Sequence, residues 1–183
     1  MTCVVGLVVG GAVYMGSDSM SVAGWETTRA TTPKVARVGP YLIGSAGSWR
    51  LINLLHHAFD PPAPPRTAKA LRHFIPIRFV DSLRKCLKDG GWLHVENAQQ
   101  TAKETAILVG VHGRLFLVGA DLCAIEFHEG YAAEGSGSHV ALGSLHTTGQ
   151  LGTIHPKARV RLALQAAAAH DMGVQGPVKI LEI

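Results

Sequence analysis

Charge is scarce in this chain. Only 16% of its 183 residues are Asp, Glu, Lys or Arg. A globular protein with so little charge often hides surface in an oligomer, though a tight monomer would carry the same signature. The 17 basic and 13 acidic residues leave a formal charge of +4. The basic residues are scattered, with no stripe and no interleaved aromatics, so nucleic acid is not an expected partner. Cysteine is scarce as well. Cys3, Cys86 and Cys123 are widely spaced and form no CxxC, which argues against a disulfide framework or a zinc site and fits a reducing cytoplasm. Long apolar runs are missing. The apolar start at 3–9 lacks a basic leader and is stopped by Gly10 and Gly11. No signal peptide is read there, and nothing approaches the roughly 20 apolar residues of a membrane span. The ten histidines include no HExxH and no pair four residues apart, so no metal or other cofactor is expected.

A hydrophobic share of 47% suffices for a core, and one domain over 1–183 is the natural expectation. Residues 2–9 and 12–17 read as two strands of a hairpin. A two-residue turn at 10–11 would set Cys3 opposite Asp18; a three-residue connection at 9–11 with a bulge would set Thr2 opposite Asp18. The second register is expected, because it puts Thr2 and Asp18 on one face, as joint chemistry requires, and a slip of one residue moves every side chain to the other face. A second hairpin spans 34–38 and 41–46 around Gly39-Pro40. Residues 47–59 carry Leu51, Ile52, Leu54 and Leu55 at helical spacing. PPAPPR at 61–66 is a stiff connector. A second helix runs over 67–88, with Pro76 kinking or dividing it, whereas 89–103 resist assignment. Runs at 105–111, 114–119 and 122–128 predict a β-meander. A strand at 131–135, a short helix after Gly137, a helix from near Pro156 and a closing strand at 177–182 complete the chain. The order implies an α+β fold with two antiparallel sheets between helix layers, an α-β-β-α sandwich.

Thr2 is the centre of the chemical reading. Once Met1 is removed, Thr2 offers a hydroxyl nucleophile and an α-amine whose reference pKa of about 7.7–8.0 suits a general base near neutrality. Taken alone, Thr2 is unremarkable, Asp18 reads as a strand-end turn residue and Lys34 as a solvated charge. Together they have a purpose: a lysine beside an aspartate and an N-terminal amine lowers the amine's proton affinity. Gly47 suits a tight strand-to-helix turn, and the same geometry aims an amide at a developing oxyanion. GSGS at 135–138 lacks the full pattern of a phosphate loop. Asp171 could simply close a helix before Gly173. Cys3 is one residue too far in to be an N-terminal nucleophile and reads as strand packing.

The segments 2–24, 33–48, 134–138 and 170–180 resemble the β-type subunits of the proteasome and the bacterial proteasome-like peptidase that works with an ATPase ring. These are N-terminal nucleophile hydrolases. Thr2, Asp18 and Lys34 reproduce the family's two intervals of 16 residues. The resemblance runs end to end, is weakest at about 58–103, and is nearest to the stand-alone bacterial homologues of betaproteobacterial type. It implies catalytic roles for Thr2, Asp18 and Lys34, an oxyanion-hole amide at Gly47, and support from Ser136 and Asp171. Many relatives carry a serine where this chain has Val174. Substrate is expected as an extended strand between Val22 and Gly47, with Ser21, Thr32 and Trp49 as pocket walls. The implied activity is a threonine-type endopeptidase acting on peptides or unfolded protein inside stacked homo-oligomeric rings, with fourteen subunits favoured over twelve. The alternatives are a silent ring subunit and a small-molecule amidase on the same fold. An ATPase partner is not specified.

Overall fold

The structure is a computed structural model, and it describes residues 1–96, 99–102 and 106–183. Strands β1 (Val4–Val9) and β2 (Ala12–Ser17) form the first hairpin. The short ribbon of β3 (Met20–Ala23) and β4 (Glu26–Arg29) follows. Next come β5 (Val35–Val38) and β6 (Tyr41–Ala46). Helix α1 (Trp49–Asn53) widens into a π-helical turn over Leu54–Ala58. Ser48 caps it, its side chain accepting from the Arg50 amide, which satisfies one of the free donors at the helix start. The proline-rich connector leads to α2 (Ala68–Phe74) and α3 (Val80–Asp89). Pro76 sits in the π-helical turn Ile75–Phe79 that divides them. A proline ring cannot donate to the helix ladder, so the wider turn accommodates it.

The second half supplies a β7 (His94–Glu96) and β8 (Gln99–Thr101) ribbon. The meander is β9 (Ala106–Val111), β10 (Arg114–Val118) and β11 (Ala124–Glu126); the first residue expected in it, 105, lies outside the described residues. Strand β12 (Tyr131–Glu134) leads to α4 (Ser138–Gln150), longer than the short helix expected there. Helix α5 (Pro156–His170) has proline in its first turn, and β13 (Lys179–Glu182) closes the chain.

One sheet has the order β12-β1-β2-β13 and the other β11-β10-β9-β6-β5. Between them lie Val4, Val13, Met15, Leu42, Leu108 and Leu115, all buried. The outer face of the first sheet packs Val5 and Leu7 against Leu145, Val160 and Leu164 of α4 and α5. The outer face of the second packs Ile43, Val109 and Phe116 against Leu55, Leu71, Phe79 and Leu83. Each such side chain contributes about 1.5–3 kcal/mol on burial. The result is the four-layer α-β-β-α sandwich.

The first hairpin corrects the expected register. Val9 pairs with Ala12 and Val4 with Ser17, so Cys3 faces Asp18 and the connection is the two-residue turn. Gly10 and Gly11 have φ of 60° and 82°, the left-handed pair that a two-residue turn matched to strand twist requires. The bulge is unnecessary because the regular pairing gives way at Asp18: its amide still donates to the Cys3 carbonyl at 3.2 Å, but the Cys3 amide turns to the Asp18 side chain. Strand β1 begins at Val4 and β2 ends at Ser17, so strict alternation no longer dictates where Asp18 points.

Candidate active site

The Asp18 carboxylate is fixed from two sides. Oδ1 accepts from the Cys3 amide at 3.0 Å and Oδ2 from the Met20 amide at 2.8 Å. Lys34, just ahead of β5, runs its side chain inward, and Nζ donates to both carboxylate oxygens at 3.0 Å. The same ammonium donates to Thr2 Oγ1 at 2.8 Å. Thr2, Asp18 and Lys34 are 4%, 2% and 2% exposed, so the three expected groups form one buried, hydrogen-bonded unit. Burial lowers the Lys34 pKa from its ordinary value, and the Asp18 carboxylate opposes that shift. A buried ammonium without such a partner would be strongly disfavoured.

The Thr2 backbone nitrogen donates to Ser136 Oγ at 3.1 Å. This contact depends on the turn after β12. Gly135 has φ of 97°, and a Cβ there would fall 2.2 Å from the Thr2 carbonyl oxygen; only glycine lets the loop pass so close. Asp171 is placed differently from expectation. Its Oδ1 accepts from the Gly173 amide at 2.8 Å, closing α5, and it makes no hydrogen bond to Ser136 or Thr2. Val174 is buried in one apolar cluster with Cys3 and Ala167. Cys3, just ahead of β1, is wholly buried in the apolar packing; burial pushes its thiol up to about 12, well away from a reactive thiolate.

A cavity of about 290 Å³ opens on Thr2, and Ser21, Val22, Lys34, Gly47 and Trp49 are among its walls. Gly47 has φ of 118° and stands just before the cap of α1. Trp49 Nε1 donates to Ser21 Oγ at 2.8 Å, and its ring lies 5.8 Å from Lys34 Nζ, within range of a cation–π attraction. Met20 and Ser48 also line the cavity. Neither was singled out from sequence; their only signal is adjacency, to Asp18 two residues back and to Gly47. Thr32 is not in this wall. It lines a separate cavity with Ser17 and Pro33.

Met1 lies over the site. Thr2 Oγ1 donates to the Met1 carbonyl at 2.5 Å, and a Cβ on Gly173 would fall 2.6 Å from the Met1 sulfur. With Met1 attached, Thr2 nitrogen is an amide and has no basic lone pair. Among the described residues no helix is long and apolar enough to cross a membrane, and no three His, Cys, Asp or Glu side chains are grouped to hold a metal ion.

No protein-family model matches the chain, and no curated protein is similar to it in sequence. Solved structures are similar in fold. BPH from Thiobacillus denitrificans, in complex with epoxomicin, superposes with a TM-score of 0.81 at 22% identity, covering 100% of this chain and 98% of that one. Eukaryotic HslV from Trypanosoma brucei gives a TM-score of 0.71 at 16% identity, covering 99% and 98%. A Gly-1 mutant of Anbu from Hyphomicrobium sp. strain MC1 gives 0.67 at 16%, covering 98% and 80%. The likeness spans the whole chain, including the part where the sequence resemblance is weakest. The chain thus has the fold of the proteasome-type N-terminal nucleophile hydrolases.

Proposed function

We propose that this protein is a threonine-type endopeptidase that becomes active when Met1 is removed. The observation that carries this reading is the buried ammonium of Lys34, which touches Thr2 Oγ1 at 2.8 Å and both oxygens of Asp18 at 3.0 Å beside a cavity. The freed Thr2 amine, directly or through a water molecule, takes the hydroxyl proton. Lys34 stabilises the developing alkoxide and keeps the amine neutral; Asp18 holds Lys34 in place. Thr2 Oγ1 attacks a peptide carbonyl, and the Gly47 amide stabilises the tetrahedral oxyanion. The amine passes its proton to the leaving nitrogen, and water then hydrolyses the ester. Ser136 steadies the amine, and Asp171 adds negative charge nearby without touching it. Peptide would lie extended along the Ser21–Val22 segment, with Trp49 as a wall.

The scarcity of charge supports a homo-oligomer, and the fold likeness to proteasome-type hydrolases supports stacked rings with the sites facing inward, seven subunits to a ring. Light scattering that gave a stable monomer would remove the rings without touching the chemistry.

The chemistry is tested by intact mass, peptide hydrolysis and epoxomicin labelling on one preparation. The expected result is loss of one methionine, cleavage of fluorogenic peptides and an epoxomicin adduct, with cleavage and adduct both absent in Thr2→Ala. Full peptide cleavage by Thr2→Ala would overturn the mechanism. A second reading, a silent structural subunit, draws on the position of Met1 over the site. A protein that retains Met1 in its native assembly and cleaves nothing would establish it.

A further inference from the structure

A second cavity, of about 330 Å³, shares none of its walls with the cavity at Thr2. It is built where three stretches meet: the end of β2, the segment after β4 and the approach to β13. Ser17 and Ser19 lie in its wall and are 0% and 9% exposed. Neither hydroxyl has a hydrogen-bond partner among the described residues. Buried hydroxyls without a protein partner favour a polar group that can meet them, and two in one wall suit a ligand that carries acceptor oxygens.

The charge in this wall is positive. Arg29 and Lys179 both line the cavity, and neither forms an ion pair with a described residue. Lys179 is the strand partner of Ser17, which places both side chains on one face of the sheet. The wall's carboxylate, Asp18, is already committed. Its oxygens take Lys34 Nζ and the amides of Cys3 and Met20, and they offer little repulsion to a further anion. The rest of the wall is largely apolar, with Pro33, Pro177 and Val178.

We propose that this cavity binds a small oxyanion, with Ser17 and Ser19 donating to it, Arg29 and Lys179 supplying the charge, and the proline-lined side accepting a short aliphatic body. The head group could be a free phosphate or the carboxylate of a small aliphatic acid. Both offer acceptor oxygens for charge-assisted hydrogen bonds. The site does not depend on Thr2 acting as a nucleophile, so it is tested in Thr2→Ala, where failure of the peptidase reading has no influence.

Calorimetric titration of that protein with inorganic phosphate, isovalerate and neutral isobutanol reads the site directly. Binding of phosphate alone assigns a free inorganic anion. Tighter binding of isovalerate assigns a carboxylate with an aliphatic body. In either case Arg29→Gln combined with Lys179→Gln is expected to weaken binding at least tenfold. Binding of neither anion, equal binding of isobutanol and isovalerate, or binding unchanged in the double variant would overturn the proposal. Ser17→Ala gives an independent reading: weaker anion binding with the melting temperature of the anion-free protein unchanged or raised. A marked fall in that temperature would mean that the hydroxyl is satisfied without an anion, and the proposal fails.

Discussion

Lys34 Nζ stands 3.0 Å from each carboxylate oxygen of Asp18, and both side chains are at most 2% exposed. The pair is therefore an internal support as well as a source of charge. Lys34→Met would leave the Asp18 carboxylate buried with two backbone amides and no cation. Breaking one side of such a pair costs about 3–5 kcal/mol. The expected outcome is a fall of that order in denaturant unfolding, with peptide cleavage lost. Lys34→Arg should recover some of the stability and little of the activity, because a forked guanidinium cannot place one nitrogen against Thr2 Oγ1 as the ammonium does.

Gly135 carries the clearest steric demand. Its φ is 97°, and an added Cβ would meet the Thr2 carbonyl oxygen at 2.2 Å and the carbonyl carbon at 2.8 Å. Both neighbours are backbone and cannot swing aside. Gly135→Ala should lower the melting temperature and push Thr2 out of line with Lys34, so that activity falls further than stability alone explains. Gly143 is the control. It lies inside α4 with open space around its Cα, and Gly143→Ala should stabilise by about 0.5–1 kcal/mol.

The turn at Gly10-Gly11 tests the register. Both residues have positive φ with nothing within 4 Å of an added Cβ, and asparagine tolerates the first of these positions. Gly10→Asn should therefore raise the midpoint of unfolding slightly, by about 0.5 kcal/mol through a less flexible unfolded chain. A bulged three-residue connection would not favour that substitution, and the variant would be neutral or destabilised.

That turn also marks the limit of what was legible in the chain. Thr2, Asp18 and Lys34 could be read because their spacing is a property of the sequence itself, and the structure brings the three side chains together. The register could not, because a glycine pair suits either connection and the break in regular pairing at Asp18 leaves no mark in the sequence. The β3-β4 ribbon was missed for a related reason: all four residues of β4 are exposed, so no alternation of polar and apolar residues announces it. The resemblance implies a supporting role for Asp171 at the Thr2 site, while its carboxylate accepts from the Gly173 amide in the local turn. Thr32 lines the neighbouring cavity and not the one at Thr2, because walls of both lie within a few residues of Lys34. The Trp49–Ser21 bond joins residues 28 apart in sequence, and nothing in either segment points to the other.

His56 makes stability depend on pH. It sits in the π-helical turn after α1, and its Nε2 is buried without a partner among the described residues. Burial, with help from the neighbouring His57, lowers its pKa from 6.5 to about 4. In the unfolded chain His56 takes up a proton near its ordinary value, while in the folded protein it stays neutral until about 4. Over that window the unfolded state binds more protons, so stability must fall as pH drops. The loss should begin as pH passes below the ordinary histidine range and level off below the folded value. Replacing His56 with Gln keeps a polar side chain of similar reach and removes the titration. Melting temperatures measured from pH 7 to pH 4 should therefore converge: wild type loses more than His56→Gln across the window, and parallel curves would show that His56 is charged in the fold.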